Sequence, residues 1–138
     1  MKKILIICTG NSCRSQMAEA ILQSFDKSLY VVSAGTKPEK EVNPRAAKVI
    51  EELGLTLDGY YPKNVNDFVN DEFDYVITVC DSARQICPNF AGKVKNKLHI
   101  GFEDPADAEG TEEEKIEFYR KIRDQIIERF TRLYKEIR

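Results

Sequence analysis

Histidine occurs once, at His99, and no two of the four cysteines stand closer than five positions apart. A structural zinc site usually draws on clustered histidines and a C-x2-C pair, so this composition speaks against zinc. No apolar run approaches the roughly 20 residues needed to cross a bilayer. The opening "MKKILIICTGNSC" has two lysines and a short apolar stretch but no small-residue cleavage site, which argues against a secretory leader. Neither sign of charge dominates: 21 Lys and Arg against 23 Asp and Glu give a net charge of −2. That balance argues against nucleic acid or a membrane surface as the main partner. No linker, internal repeat or low-complexity segment divides the chain. The expectation is one cytoplasmic domain spanning residues 1–138, with no metal or cofactor. No apolar stripe is left over to pair with a second copy, so a monomer is expected.

Within that frame the chain alternates strand and helix signals. "KKILIIC" is a short continuous apolar run that reads as a buried strand. Met17, Ala18, Ile21, Leu22 and Phe25 follow at helical spacing. "YVVSAG" predicts a second strand ending at Gly35, and "TKPEKEV" a polar loop. "NPRAAKVIEELG" has Asn43 as N-cap, Pro44 at the first helical position and Gly54 just past the end. "DYVITVC" and "KLHIGF" predict strands three and four. Thr111 and Glu114 have capping-box spacing. Tyr119, Ile122, Ile126, Phe130, Leu133 and Ile137 then form one apolar stripe. The fold class is α/β: a four-stranded parallel sheet flanked by helices on both faces. In such sheets ligands lie beyond the carboxyl ends of the strands.

"CTGNSCRS", residues 8–15, falls at that end of strand one. A loop that opens a helix points several backbone N–H groups at one spot, and the helix dipole adds positive potential. Gly10 permits close approach of the backbone to a ligand. Arg14 offers a planar fork to a tetrahedral oxyanion. The same potential favours a thiolate at Cys8. Thr9, Gly10, Asn11, Ser12, Cys13, Arg14 and Ser15 therefore form a candidate oxyanion loop with Cys8 as its nucleophile. There is no G-x-x-x-x-G-K-[ST], so this is not a nucleotide phosphate loop. The plainer reading is a polar turn whose cysteines pack.

"CTGNSCRS" resembles the phosphate loop of the low-molecular-weight protein tyrosine phosphatase fold. The longer "CTGNSCRSQMAEA" is similar to that of the thioredoxin-coupled arsenate reductases, which share the fold. "SAG" at 33–35, "NP" at 43–44, "ITVC" at 77–80, "CP" at 87–88 and "GFEDPA" at 101–106 continue the likeness in order. The resemblance implies that Asp104 is the general acid, although an Asp before Pro105 also suits a turn. It implies a relay of three sulfurs. Cys8 attacks arsenate, Cys80 attacks Cys8 and releases arsenite, and Cys87 attacks Cys80. Thioredoxin then reduces the Cys80–Cys87 disulfide. Taken singly, Cys80 also reads as a strand-end residue and Cys87 as a loop thiol. Cys13 has no relay role and reads as structural.

Three further expectations follow. In a helix, Cys80 and Cys87 would share a face but lie roughly 10 Å apart along the axis. A disulfide needs Cα atoms within about 7 Å, so helical residues 81–87 would have to unwind, throwing residues 81 to about 97 outward. Asp104-Pro105 is followed by Ala106, Asp107 and Ala108 rather than the ring-stacking residues of the phosphatases, which favours a small inorganic oxyanion over phosphotyrosine. Some of the reductases bind potassium through an Asn, a Glu, a Ser and a downstream Asp. Asn11, Glu19 and Ser33 match three of these, and Lys63 stands where the Asp is expected. An ammonium there can take the cation's electrostatic role, so no potassium dependence is expected. The alternatives are a low-molecular-weight phosphatase acting on phosphotyrosine or small phosphoesters, and a non-enzymatic oxyanion-binding or redox-sensing module.

Overall fold

The computed structural model describes residues 2–81 and 92–138. Four strands, β1 (Lys3–Cys8), β2 (Tyr30–Gly35), β3 (Phe73–Thr78) and β4 (Val94–His99), form one parallel sheet in the order β2-β1-β3-β4. The described helices are α1 (Arg14–Phe25), α2 (Pro44–Glu51) and α3 (Glu112–Ile137). The α/β class and the four-stranded parallel sheet are as the sequence predicts. Ile4, Leu5, Ile6 and Ile7 have no accessible surface. A central parallel strand covered on both faces requires such an unbroken apolar run.

The helix boundaries follow their signals. Asn43 accepts hydrogen bonds from the N–H groups of Arg45 and Ala46, and Pro44 opens α2. Gly54 sits beyond its end with φ +80°, a conformation that suits glycine. Thr111 and Glu114 close a reciprocal capping box on α3. The α3 stripe from Ile116 to Ile137 is buried, each large apolar side chain contributing about 1.5–3 kcal/mol.

Strand four departs from its expected range. It runs Val94–His99 rather than from Lys97 to Phe102, paired with β3 from Phe73↔Val94 to Thr78↔His99. β4 is an edge strand whose residues 95–97 face water, so "VKNK" carries no apolar signal. Ile100 and Phe102 are buried and donate their N–H groups to the carbonyls of Thr78 and Val79. The excursion expected of residues 81 to 97 therefore cannot include 94–97 while this sheet is intact. Residues 82–87 of the expected helix lie outside the described residues.

The chain leaves β1 toward β2 on one side, and β3 lies on the other. That reversal makes a crevice at the carboxyl ends of β1 and β3, where ligands bind in open α/β sheets. Among the described residues, no helix is long and apolar enough to cross a membrane.

Candidate active site

Cys8 is the last residue of β1, and α1 begins at Arg14, so residues 9–13 make a sharp strand-to-helix turn. Asn11 takes the left-handed conformation, φ 50°. Its side chain over-determines that strain. Asn11 Nδ2 donates to Ser15 Oγ at 2.8 Å and Ser33 Oγ at 2.9 Å, and Oδ1 accepts from the Lys63 N–H at 2.9 Å. Gln16 Nε2 bonds the Asn11 carbonyl as well as that of Tyr61.

The segment after β2 braces the turn from outside. The N–H groups of Thr36, Lys37, Glu39 and Asn43 donate to the carbonyls of Cys8, Thr9, Gly10 and Ser12 at 2.8–3.1 Å. Gly35 must be glycine here, because a Cβ would stand 2.4 Å from the Thr9 carbonyl oxygen. With its carbonyls tied back, the loop keeps its N–H groups for a ligand. Among the described residues, nothing accepts from the amides of Gly10, Asn11, Ser12 or Cys13. Four successive amides beside a guanidinium are an anion nest.

These residues surround a cavity of about 340 Å³, lined by the loop from Cys8 to Arg14 together with Lys37, Glu39, Asp104 and Ala106. Arg14 is held in place from β4's side, with Nη1 donating to the Phe102 carbonyl at 3.0 Å and Nη2 3.4 Å from Asp104 Oδ2. Asp104 serves both of its sequence readings. Oδ1 accepts from the Ala106 N–H and caps the 3-10 turn Pro105–Asp107, while the residue lines the cavity. Ser15 is fully buried and its hydroxyl lies behind the loop, accepting from Asn11, outside the cavity lining.

Cys80 lies beside Cys8. Ile7 pairs with Thr78 across β1 and β3, and the Val79 N–H donates to the Ile7 carbonyl. Both thiols are buried, and the Thr9 hydroxyl is 3.4 Å from Cys80 Sγ. A hydrogen bond with Cys80 and burial push the Cys8 thiol up, against the pull of Arg14 and the Thr9 N–H. Burial and Asp104 push Cys13 up as well. Cys87 lies outside the described residues.

Lys37 and Glu39, in the polar loop after β2, also line the cavity, although their residue types carry no signal of it. The topology carries it instead: parallel strands end at one edge, so the turn after β2 must lie beside the turn after β1. Asn11, Ser33 and Glu19, which match the expected potassium ligands, are joined by hydrogen bonds, and Glu19 faces an ammonium. Lys63 Nζ stands 3.9 Å from Glu19 Oε1 and donates to the Tyr61 carbonyl at 2.9 Å. A cationic side chain here does not fit a metal ion in the same place.

Residues 3–138 match the family described as low molecular weight phosphotyrosine protein phosphatase. An arsenate reductase of Halalkalibacterium halodurans is 40% identical over 126 residues, covering 91% of this chain and 89% of that one. A solved arsenate reductase in the phosphate binding state superposes with TM-score 0.83 at 29% identity over the whole of both chains. A thioredoxin-dependent arsenate reductase of Corynebacterium glutamicum gives 0.71 at 29% identity, over 99% of this chain and 62% of that one.

Proposed function

Because the chain belongs to the low molecular weight phosphotyrosine protein phosphatase family, we propose that its phosphatase-type loop serves a reductase, which turns arsenate into arsenite with thioredoxin as electron source. The observation that carries this reading is the second buried sulfur, Cys80, which the β1–β3 register brings beside Cys8. Hydrolysis of a phosphocysteine needs water. Reduction of arsenate needs two electrons, and two adjacent thiols supply them together by becoming a disulfide. The arsenate reductases at about 40% identity support it.

In this mechanism the loop amides and Arg14 hold the oxyanion and favour the Cys8 thiolate against Cys80 and burial. Cys8 sulfur attacks arsenic while Asp104 protonates the departing oxygen, which leaves as water. Cys80 thiolate then attacks the Cys8 sulfur. The sulfur–arsenic bond breaks, its electron pair stays on arsenic, and arsenite departs. The two sulfurs have lost two electrons and form a disulfide. Cys87 attacks Cys80, returning Cys8 and leaving a Cys80–Cys87 disulfide. The dithiol of thioredoxin reduces that bond and becomes a disulfide itself. The reaction belongs to the cytoplasm, where thioredoxin keeps such thiols reduced, and one chain suffices for it.

Arsenite release and thioredoxin oxidation, measured together, test the relay. Cys80→Ser should release no arsenite. Cys87→Ser should release one arsenite per chain and stop with Cys8 and Cys80 bridged. Normal arsenate turnover by Cys80→Ser would overturn the reading. A phosphatase is the second reading, favoured by Cys8, Arg14 and Asp104 meeting at one cavity. Ala106 on the wall gives an aryl ring nothing to stack on. Strong aryl phosphate hydrolysis with no arsenate reduction would reverse the order.

A further inference from the structure

We propose that Lys63 is a built-in counter-ion: its ammonium keeps Glu19 charged and, through Glu19, Ser33 and Asn11, fixes the left-handed turn of the oxyanion loop, so that no external monovalent cation is needed. This rests on the oxyanion reading of the loop. Lys63 is a positioning residue, since it touches no substrate.

The chain of contacts is continuous. Lys63 and Glu19 side chains are each only 13% exposed and face each other at 3.9 Å. The ammonium also donates to the Tyr61 carbonyl and lies over the Tyr61 ring, 4.8 Å from its centroid. Glu19 Oε1 accepts from the Ser33 hydroxyl at 2.8 Å. Ser33 Oγ in turn accepts from Asn11 Nδ2 at 2.9 Å. An ionised carboxylate can only accept, and that polarises every link: Ser33 must donate to Glu19 and is left to accept from Asn11. Asn11 is the residue that takes φ 50° in the loop, and its other side-chain atom is held by the Lys63 N–H. One residue thus fixes both ends of the Asn11 amide, by its backbone directly and by its side chain through two intermediates.

Electrostatics makes the ammonium necessary. Burial pushes Glu19 toward its neutral form, opposed by the Ser33 hydroxyl and Lys63. Burial likewise pulls Lys63 down, opposed by Glu19. Each charge offsets the other's desolvation. Remove the ammonium and the buried Glu19 carboxyl loses the charge that faces it, a place that a cation from solution can take. The carboxylate, the Tyr61 carbonyl and the Ser33 hydroxyl are hard oxygen donors that suit an alkali or ammonium ion.

Two measurements test this on the full chain. In the first, inorganic phosphate is titrated by calorimetry in potassium chloride and in choline chloride at equal ionic strength. Wild type should bind equally in both. Lys63→Met should bind about tenfold more weakly in choline, the usual size for a group that acts through another. Potassium or ammonium should restore most of that loss, and Lys63→Arg should need neither. A purely structural role for Lys63 gives no such cation rescue. The second measurement follows the Asn11 side-chain amide protons by NMR without phosphate. Their protection from exchange should fall in Lys63→Met, recover with potassium, and recover in the neutral pair Lys63→Met with Glu19→Gln. Unchanged protection and unchanged affinity in Lys63→Met would overturn the proposal, as would a wild type that itself needs potassium. If wild type binds no phosphate at all, the oxyanion reading fails, and the amide protection alone decides Lys63.

Discussion

At the residue scale, the site rests on geometry that charge alone does not supply. The Arg14 guanidinium is fixed by the Phe102 carbonyl and Asp104, leaving its plane set against the loop. Arg14→Lys keeps the charge and loses the fork, and it leaves the Phe102 carbonyl short of a donor. A lost hydrogen bond to a charged group is worth about 1.5–3 kcal/mol. Phosphate affinity should therefore fall roughly tenfold to a hundredfold. Calorimetric titration checks this, and an unchanged affinity would place the oxyanion elsewhere. The residues from Cys8 to Arg14 were legible because one short stretch carries a nucleophile, a glycine and a fork directly after a strand. What faces that stretch was not legible. The rise in the Cys8 thiol comes from Cys80, a residue 72 positions away that only the β1–β3 register brings near. Lys37 and Glu39 reach the cavity for the same reason, through the pairing of β2 with β1.

At the scale of elements, capping residues were the most readable feature, because a cap is a local hydrogen bond with a fixed sequence offset. Asn43, Pro44, Thr111 and Glu114 all act where their spacing predicts. The edge strand was the least readable, since pairing at an edge requires no apolar residues. How α2 meets α3 was not visible either. Glu52, just past α2, receives Arg120 Nη2 at 2.7 Å and Arg123 Nη1 at 2.8 Å from α3. The Arg120 hydrogen bonds chiefly hold its carboxyl down to about 2. That lies below the ordinary glutamate value of about 4.3. A depressed folded value means the stabilisation is fully present above the ordinary value and is lost as pH falls through about 2. Glu52→Gln should lower the denaturant midpoint modestly at neutral pH, the site being solvent-accessible. The gap from wild type should close as pH approaches 2. An equal gap at both ends of the range would mean that the carboxylate acts by something other than its charge.

At the scale of the whole molecule, the sheet is a fixed frame and the candidate site sits at its carboxyl edge. β1 and β3 bring Cys8 and Cys80 together through buried ladders, so the first sulfur exchange of the proposed relay needs little movement. The proposed second exchange asks for more, because Cys80 and Cys87 are seven positions apart in the sequence. The β3–β4 pairing bounds how far the rearrangement can spread. The Phe73 N–H donates to the Lys93 carbonyl at 2.9 Å, the ladder runs from Val94 to His99, and Ile100 and Phe102 continue it onto Thr78 and Val79. Peeling β4 away would leave β3 carbonyls and amides unpaired in the core, at about 1–3 kcal/mol for each buried group. Oxidation should therefore spare the sheet. Amide exchange on reduced protein, and on oxidised protein with the Cys80–Cys87 bond verified by mass spectrometry, should show equal protection in β1, β3, β4 and α3. Loss of protection should be confined to residues before Val94. If the amides of Val94–His99 also open on oxidation, the edge strand takes part in the relay, and the sheet is not the fixed frame that its pairing implies.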